Sequence, residues 1–408
     1  VRNRHVVIAV FPAPGHAHGM VALGHALQAR GHRVTFTTPV DGAALVSALT
    51  ALPVVPLAPD ALPRGTLKRE AGSTVQRAGL DAVRAGLGYL ARLNEVFIDS
   101  PPAVNSPALL VADELYFAAR TVAEAWRVPW VSVAQTLSIR PARDGRRALP
   151  FTGAFPGRRW LNQLSWRGGD WLFRGVLKAI NAARARLGKS AHHSLDETFS
   201  PHLHLRPYTA SFGGEAASEV GLVGPFLEVE PPADTRPRHL YASFGTLVDD
   251  TRKVALFNAL QAACATLELP ATFSWGAWPG RAVTPPVSST TWVRVEPRVN
   301  QLELLRASSL MVTHGGLNSV QECLATHTPM IVVPLKYDQH GIAARVEKLG
   351  VGRILAPAHF TAEAVAKAMA AELATSRADA FSTLTTERAR AGGLTRAVEL
   401  LEATFHGE

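Results

Sequence analysis

The sequence predicts an α/β chain built from two doubly wound domains. Three observations carry this expectation. Short β-branched apolar runs alternate with stretches of helical apolar spacing, the pattern of parallel sheets covered by helices. That alternation breaks at Gly224-Pro225 and Pro231-Pro232 and restarts at His239. The chain has 408 residues, which is too long for one ordinary core. The expected organisation is a first domain over 1–224, a linker over 225–237, a second domain over 238–390 and a closing helix over 391–408 that packs back towards the first domain.

In the first half, Val6-Val7-Ile8-Ala9-Val10-Phe11 reads as a fully buried strand, and Pro12 to Gly15 as a turn. Met20, Val21, Leu23, Ala26 and Leu27 follow at helical spacing, with Gly31 suited to the helix C-terminus. Val34 to Thr37 is the next strand, so the chain opens as a βαβ unit whose natural site lies at the carboxyl end of its first strand. Further strands are expected at Ala108–Ala112 and Trp130–Val133, with a helix over Phe117–Trp126 between them. Residues 140–175, rich in Arg, Gly, Pro and Trp, read as a long excursion. In the second half, strands are expected at His239–Ser243, Thr272–Trp275, Leu310–Thr313 and Met330–Val333. Helices are expected over Lys253–Leu267, from Ser319, and over 361–373 and 380–403.

Composition narrows the function classes. Apolar content of 47% and charged content of 18% are those of a globular protein. No apolar window of membrane-spanning length escapes Pro or charge. Arg2 and Arg4 before an apolar run imitate a signal peptide, but Pro12, Pro14, Gly15, His16 and His18 interrupt it, and a first buried strand is the better reading. Cys264 and Cys323 alone make a disulfide framework unexpected and suit a reducing cytoplasm. The net charge of +9 is concentrated: residues 140–186 hold eleven Arg/Lys against Asp144 and Asp170, a net +9 by themselves. A nucleic-acid partner is not expected, because no recognition motif accompanies that charge.

The chemistry concentrates in residues 310–340. An apolar strand ends in Thr313-His314-Gly315-Gly316, and a helix begins near Asn318-Ser319. Two glycines let backbone approach a ligand closely. Free N–H groups at a helix start bind phosphate. Asn318 and Ser319 can cap the helix or donate to phosphate oxygens, and His314 can donate to the same group. Glu322, one turn on, could accept from two ribose hydroxyls. Asp338-Gln339, after the next strand, pair an acid with an amide, which can bind several hydroxyls of one sugar. Taken singly, the glycines could also be a tight strand-to-helix turn and Asp338 a solvated loop acid.

Together, Asn300-Gln301-Leu302-Glu303-Leu304-Leu305, Thr313 to Glu322, Thr328-Pro329-Met330 and Asp338-Gln339 resemble, in order and spacing, the donor-binding signature of the UDP-glycosyltransferase superfamily (family 1, the GT-B fold). The resemblance implies two Rossmann-like domains facing across a cleft, the first binding acceptor and the second nucleotide sugar. It places His314, Gly316, Asn318 and Ser319 at the diphosphate, Glu322 at the ribose, Asp338 and Gln339 at the hexose, and Gln301 near the uracil. Ser243 and Thr246, in Ser243-Phe244-Gly245-Thr246, resemble the family's small loop near the phosphates, where an ordinary βα turn is the alternative. The family usually has Pro-Gln where this chain has Asn300-Gln301, and an aromatic residue where it has Arg298. A guanidinium plane can also stack on a base.

An acceptor hydroxyl attacks well only if a base takes its proton. Pro14-Gly15-His16 resembles the Gly-His of the family, which makes His16 the general base, and Asp113 resembles the carboxylate that orients it. The implied reaction is direct attack on the anomeric carbon with inversion. His18 is a rival at two residues' distance, while His5, His25 and His32 are expected on helix surfaces or strand edges. No His/Cys/Asp cluster has metal-ligand spacing, so no metal or other cofactor is expected, and the UDP-sugar is a co-substrate.

Thr328-Pro329, Asp338 to Ala343, Ala242 to Leu247 and Phe199-Ser200-Pro201 resemble bacterial zeaxanthin (carotenoid) glucosyltransferases, which implies UDP-glucose and a hydrophobic acceptor. A macrolide, polyketide or phenolic aglycone is the alternative. Nucleotide-sugar 2-epimerases share the architecture but need acid/base carboxylates in place of His16 and Asp113, and a non-catalytic sugar-nucleotide-binding module is a further possibility. In 140–186, Trp160, Trp166 and Trp171 lie among Arg158, Arg159, Arg167 and Arg174, a composition suited to peripheral contact with a membrane face. Buried tryptophans under a solvated basic face would have the same composition.

Overall fold

A computed structural model describes residues 3–66, 80–142, 144–152, 158–216, 220–227, 229, 236–246, 248–277 and 283–406. The linker prolines Pro231-Pro232 and Leu247 of the 242–247 motif lie outside the described residues. The chain divides into two compact units. Unit 1 comprises Val1–Leu149, Phe155–Phe226 and Ala391–Glu408, and unit 2 comprises Pro150–Ala154 and Leu227–Arg390.

Unit 1 holds a parallel sheet of β1 (His5–Ala9), β2 (Arg33–Thr38), β3 (Val54–Pro56), β4 (Leu109–Asp113), β5 (Trp130–Val133) and β6 (His204–Leu205), ordered β3-β2-β1-β4-β5-β6. Val6 of β1 stands between Val34 and Leu109, which fixes the central register. Val6, Val7, Ile8 and Ala9 are fully buried because helices cover both faces of the sheet. These helices include α1 (Pro14–Ala29), α2 (Val40–Ser47), α3 (Leu80–Asp99), α4 (Ala119–Trp126) and α5 (Arg159–Arg186). The strand order reverses between β1 and β4, and ligands of such sheets bind where the order reverses, beyond the carboxyl ends.

Unit 2 repeats the plan with β7 (Leu240–Ser243), β8 (Ala271–Ser274), β9 (Val293–Glu296), β10 (Leu310–Thr313), β11 (Met330–Val332) and β12 (Gly352–Ile354), ordered β12-β11-β10-β7-β8-β9. Its helices include α6 (Asp250–Thr266), α7 (Gln301–Arg306), α8 (Leu317–Ala325), α9 (Gln339–Lys348), α10 (Ala362–Leu373) and α11 (Ala378–Ala391). Here the order reverses between β10 and β7. Phe257 of α6 stacks on Phe273 of β8 at 4.9 Å, pinning helix to sheet.

Several expectations need correction. Helix α1 starts at Pro14, so the expected Pro12–Gly15 turn is partly helix; Pro suits the first helical position because its missing N–H has no partner there anyway. The excursion over 140–175 contains most of the 28-residue helix α5. Gly168-Gly169 and Gly175 read as breakers, yet Gly169 lies on the buried face, where an added Cβ would come within 3.3 Å of Leu149. The expected 380–403 helix is two, because Gly392 and Gly393 both take positive φ, and the second piece, α12 (Gly393–Ala403), belongs to unit 1. His5 is buried in β1 with its ring nitrogens on Asn105 O and Thr35 Oγ1, and His32 is buried against Glu402; neither is a surface residue. Cys264 and Cys323 are free and buried. Among the described residues, no helix is long and apolar enough to cross a membrane.

Helix α12 is tied down by Glu402, which accepts from Arg30 Nη2 at 2.6 Å and lies 3.1 Å from His32 Nε2. The hydrogen bond from Arg30, joined by the one from His32, holds the Glu402 carboxyl down at about 2. A depressed carboxylate stabilises the fold above its unfolded-state pKa, and that contribution disappears as pH falls through the folded value. Glu402→Gln is therefore expected to lower the urea midpoint modestly at pH 7, as befits a partly exposed pair. The deficit should close between pH 4.5 and about 2. An equal deficit at pH 7 and pH 2.5 would show that ionisation of Glu402 is not its source.

Candidate active site

The first locus lies at the carboxyl ends of β1 and β4, where the unit 1 sheet reverses order. Asp113 is the last residue of β4 and fully buried. Its Oδ2 lies 2.6 Å from His16 Nδ1, and its Oδ1 accepts from the Leu115 N–H at 3.0 Å. His16 stands in the first turn of α1, buried, with the Phe11 ring 5.0 Å away. With the Nδ1 proton donated to Asp113, the lone pair of the imidazole sits on Nε2, as a proton acceptor requires. His18 sits differently. It is exposed on α1 and bonds the Pro14 carbonyl at 2.8 Å.

Next to Asp113, Glu114 was not singled out by sequence. It is buried, accepts from Ser138 Oγ at 3.0 Å, and burial followed by the nearby Asp113 pushes its carboxyl well above the usual range. Glu114 therefore holds its proton more tightly than an ordinary carboxyl, which limits like-charge repulsion beside Asp113. Ser138 also contacts His204 Nε2 at 2.8 Å, and the other ring nitrogen lies 2.7 Å from Ser132 Oγ. Burial keeps that imidazole neutral too. The only signal in the sequence was the Asp113-Glu114 pair at a strand end.

The second locus lies at the carboxyl ends of β10 and β7. Helix α8 is capped by Gly316, with no side-chain cap and no acidic residue in its first turn. Its first in-helix acceptance is Val320 N–H on Gly316 O at 3.1 Å. The N–H groups of Leu317, Asn318 and Ser319 therefore have no acceptor inside the helix, and the positive end of the helix dipole lies with them. This helix starts two residues before the Ser319 expected from sequence.

His314 occupies a slot made by glycines. A Cβ on Gly245 would lie 2.8 Å from its ring, and one on Gly316 would lie 2.9 Å from Nε2. Gly315 has φ +86°, and a Cβ there would meet Val332 at 2.6 Å. Burial pushes His314 down to about 4, against a hydrogen bond with the Ser243 backbone and with help from the charge of Lys253. The imidazole is neutral at pH 7. Lys253 of α6 was also missed by sequence; buried, it donates to Trp275 O at 2.8 Å. Ser243 ends β7 and is buried, and Thr246 is half-buried beyond Gly245.

Gln301, Ser319 and Glu322 come together. Gln301 Nε2 donates to Glu322 Oε2 at 2.6 Å and to Ser319 Oγ at 3.0 Å, while its Oε1 accepts from Tyr241 OH at 2.9 Å. Both ends of the Gln301 amide are used within this cluster. Burial pushes Glu322 up to about 7. Asn300, where relatives have Pro, caps α7 by accepting from the Glu303 N–H, so that departure serves the helix. Arg298 is exposed just before it. Gln339 Oε1 accepts from the Leu335 and Lys336 N–H groups at 2.7 and 2.8 Å, which leaves only its amide nitrogen for a sugar. Asp338 is half-buried at the N-cap of α9, after Tyr337 with φ +56°, a strained value for a bulky residue.

Residues 289–391 match the glycosyltransferase family 28 C-terminal domain. The chain is 28% identical to a zeaxanthin glucosyltransferase of Pseudescherichia vulneris, covering 99% of this chain and 98% of that one. It is also 28% identical to an oleandomycin glycosyltransferase of Streptomyces antibioticus, covering 98% and 90%. The solved glycotransferase of kitacinnamycin superposes with a TM-score of 0.72 at 22% identity, over 99% of this chain and 100% of that one. The chain is a glycosyltransferase of the GT-B fold.

Proposed function

We propose that this glycosyltransferase is an inverting enzyme that moves a hexose, glucose by resemblance, from a UDP-sugar to a hydroxyl of a hydrophobic, carotenoid-like acceptor. The observation that carries the reading is the buried 2.6 Å pair between His16 and Asp113. His16 Nε2 takes the acceptor proton as the hydroxyl oxygen attacks the anomeric carbon. The bond from that carbon to UDP breaks on the opposite face, so the configuration inverts. Asp113 stabilises the imidazolium as it forms. Charge growing on the departing diphosphate is met by the α8 N–H groups, Asn318, Ser319 and the Ser243–Thr246 loop, with Lys253 nearby, so the reaction is proposed to need no metal. Glu322 accepts from the ribose, Asp338 with the Gln339 amide nitrogen holds the hexose, and Arg298 stacks on the base. A macrolide-like acceptor is the second reading, favoured by the oleandomycin relative. Peripheral membrane contact through 140–186 suits a lipid-like acceptor.

His16→Ala is expected to lower kcat by about 10²–10⁴-fold with unchanged UDP affinity, and His18→Ala to leave kcat within about twofold. Initial rates with UDP-glucose and a panel of carotenoid alcohols, macrolides and flavonoids, read by mass shift, check both. Wild-type turnover in His16→Ala would remove the base assignment. A second expectation concerns pH. The Glu322 carboxyl is protonated below about 7 and ionised above it. Only the ionised form accepts from two hydroxyls, so UDP should bind more tightly at pH 8 than at pH 6. Glu322→Gln should bind more weakly and lose that pH dependence; a slope retained in this variant would assign it to another group.

A further inference from the structure

Helix α5 has two faces of opposite character. Asn162, Trp166, Gly169, Phe173, Val176 and Ile180 are buried. Trp166, one of three tryptophans grouped by sequence, is core: it is 2% exposed and donates to Arg147 O at 2.9 Å. The other two are the reverse, Trp160 at 63% and Trp171 at 62% exposed, with Leu164 at 53%. At about 100° per residue, Trp160, Leu164, Arg167, Trp171, Arg174 and Lys178 fall within an arc of roughly 80°, opposite the buried stripe. They form one ridge about 27 Å long at 1.5 Å per residue.

Charge on and beside this ridge is almost all of one sign. Arg158, Arg159, Arg167, Arg174 and Lys178 are exposed and form no ion pair with the described residues. By contrast, Arg184 and Arg186, further along the helix, are paired with Glu124 and with Glu95 and Asp99. Arg174 lies over the exposed Trp171 ring at 5.1 Å. Exposed indoles interspersed with cations that pair with no described acid along one helix face match a surface that is apolar beneath and anionic above: tryptophan sits at headgroup depth, and arginine and lysine pair with phosphates. We infer that the Trp160–Lys178 ridge docks the chain on anionic phospholipid membranes. This narrows the membrane contact proposed above for 140–186 to one face of one helix. It does not depend on which acceptor is glycosylated.

The test is cosedimentation of the full chain with vesicles of phosphatidylcholine containing 30% phosphatidylglycerol, against pure phosphatidylcholine, at low and at 0.5 M salt. Expected is binding to the anionic vesicles only, largely lost at high salt because exposed charges are then screened. Arg167→Glu with Arg174→Glu, and separately Trp160→Ala with Trp171→Ala, should each weaken partitioning at least about tenfold, since each cation at such a surface contributes roughly fivefold. All four positions are exposed, so both variants should keep the thermal midpoint and the UDP affinity of the wild type, which separates failed docking from a failed donor site. Absence of wild-type binding at low salt, or wild-type partitioning in both variants, would overturn the inference. So would a wild type that is oligomeric in solution and a tryptophan variant that is monomeric with vesicle binding intact, which would make the ridge a contact between copies of this chain.

Discussion

The donor half of this chain depends on the packing of one imidazole against two glycines. His314 lies in a slot between Gly245, after β7, and Gly316, before α8. A side chain at either glycine would push the ring out. The two loops leave adjacent strands at the point where the sheet reverses order, so the ring joins the loops that a nucleotide would touch. The same crowding makes Gly316 the N-cap of α8. A glycine there leaves the helix start without a side-chain cap hydrogen bond, and the positive end of the helix dipole lies with its first amides.

The other half depends on a charge that is kept single. Asp113 is fully buried and held by His16 and the Leu115 amide. Glu114 is its sequence neighbour and equally sequestered, and burial raises its carboxyl well above the usual range, so it gives up its proton less readily. The hydrogen bond from His16 Nδ1 to Asp113 fixes the tautomer and leaves the lone pair on Nε2. The Ser138–His204–Ser132 chain satisfies Glu114 and its neighbours without adding charge.

Much of this was legible in the sequence because it is local. An apolar run ending in Gly-Gly before a helix shows the strand-to-helix turn directly, Asp113 ends an apolar strand, and His16 follows another in the first turn of a helix. Long-range contacts were not legible. Nothing in Gln301 or Glu322 showed that 21 positions of separation would close to 2.6 Å, with Tyr241 completing the cluster. The short edge strands β3, β6, β9 and β12 were missed because they are two to four residues long, too little for a period to show, and β3, β9 and β12 also include Pro, Arg or Gly. Helix α5 was missed because its first part lies in a stretch rich in Arg, Gly, Pro and Trp that read as an excursion, although Gly169 lies on its buried face against Leu149. Arg298 and Asn300 depart from the pattern of relatives for different reasons: Asn300 caps a helix, and Arg298 is an exposed cation.

The central claim is that a nucleoside diphosphate is held at the glycine-framed start of α8. Calorimetric titration of UDP, with TDP as a second arm, into the wild type and Gly316→Ala tests it most directly. Gly316 has φ −65°, so alanine is tolerated by the backbone, and the nearest atoms to the added Cβ belong to the His314 ring. The account predicts micromolar binding of at least one nucleotide by the wild type. In Gly316→Ala it predicts affinity at least about tenfold weaker, a loss of about 1.4 kcal/mol, in a variant whose circular dichroism shows it still folded. Equal affinity in the two proteins, or no binding of either nucleotide to the wild type, would contradict it.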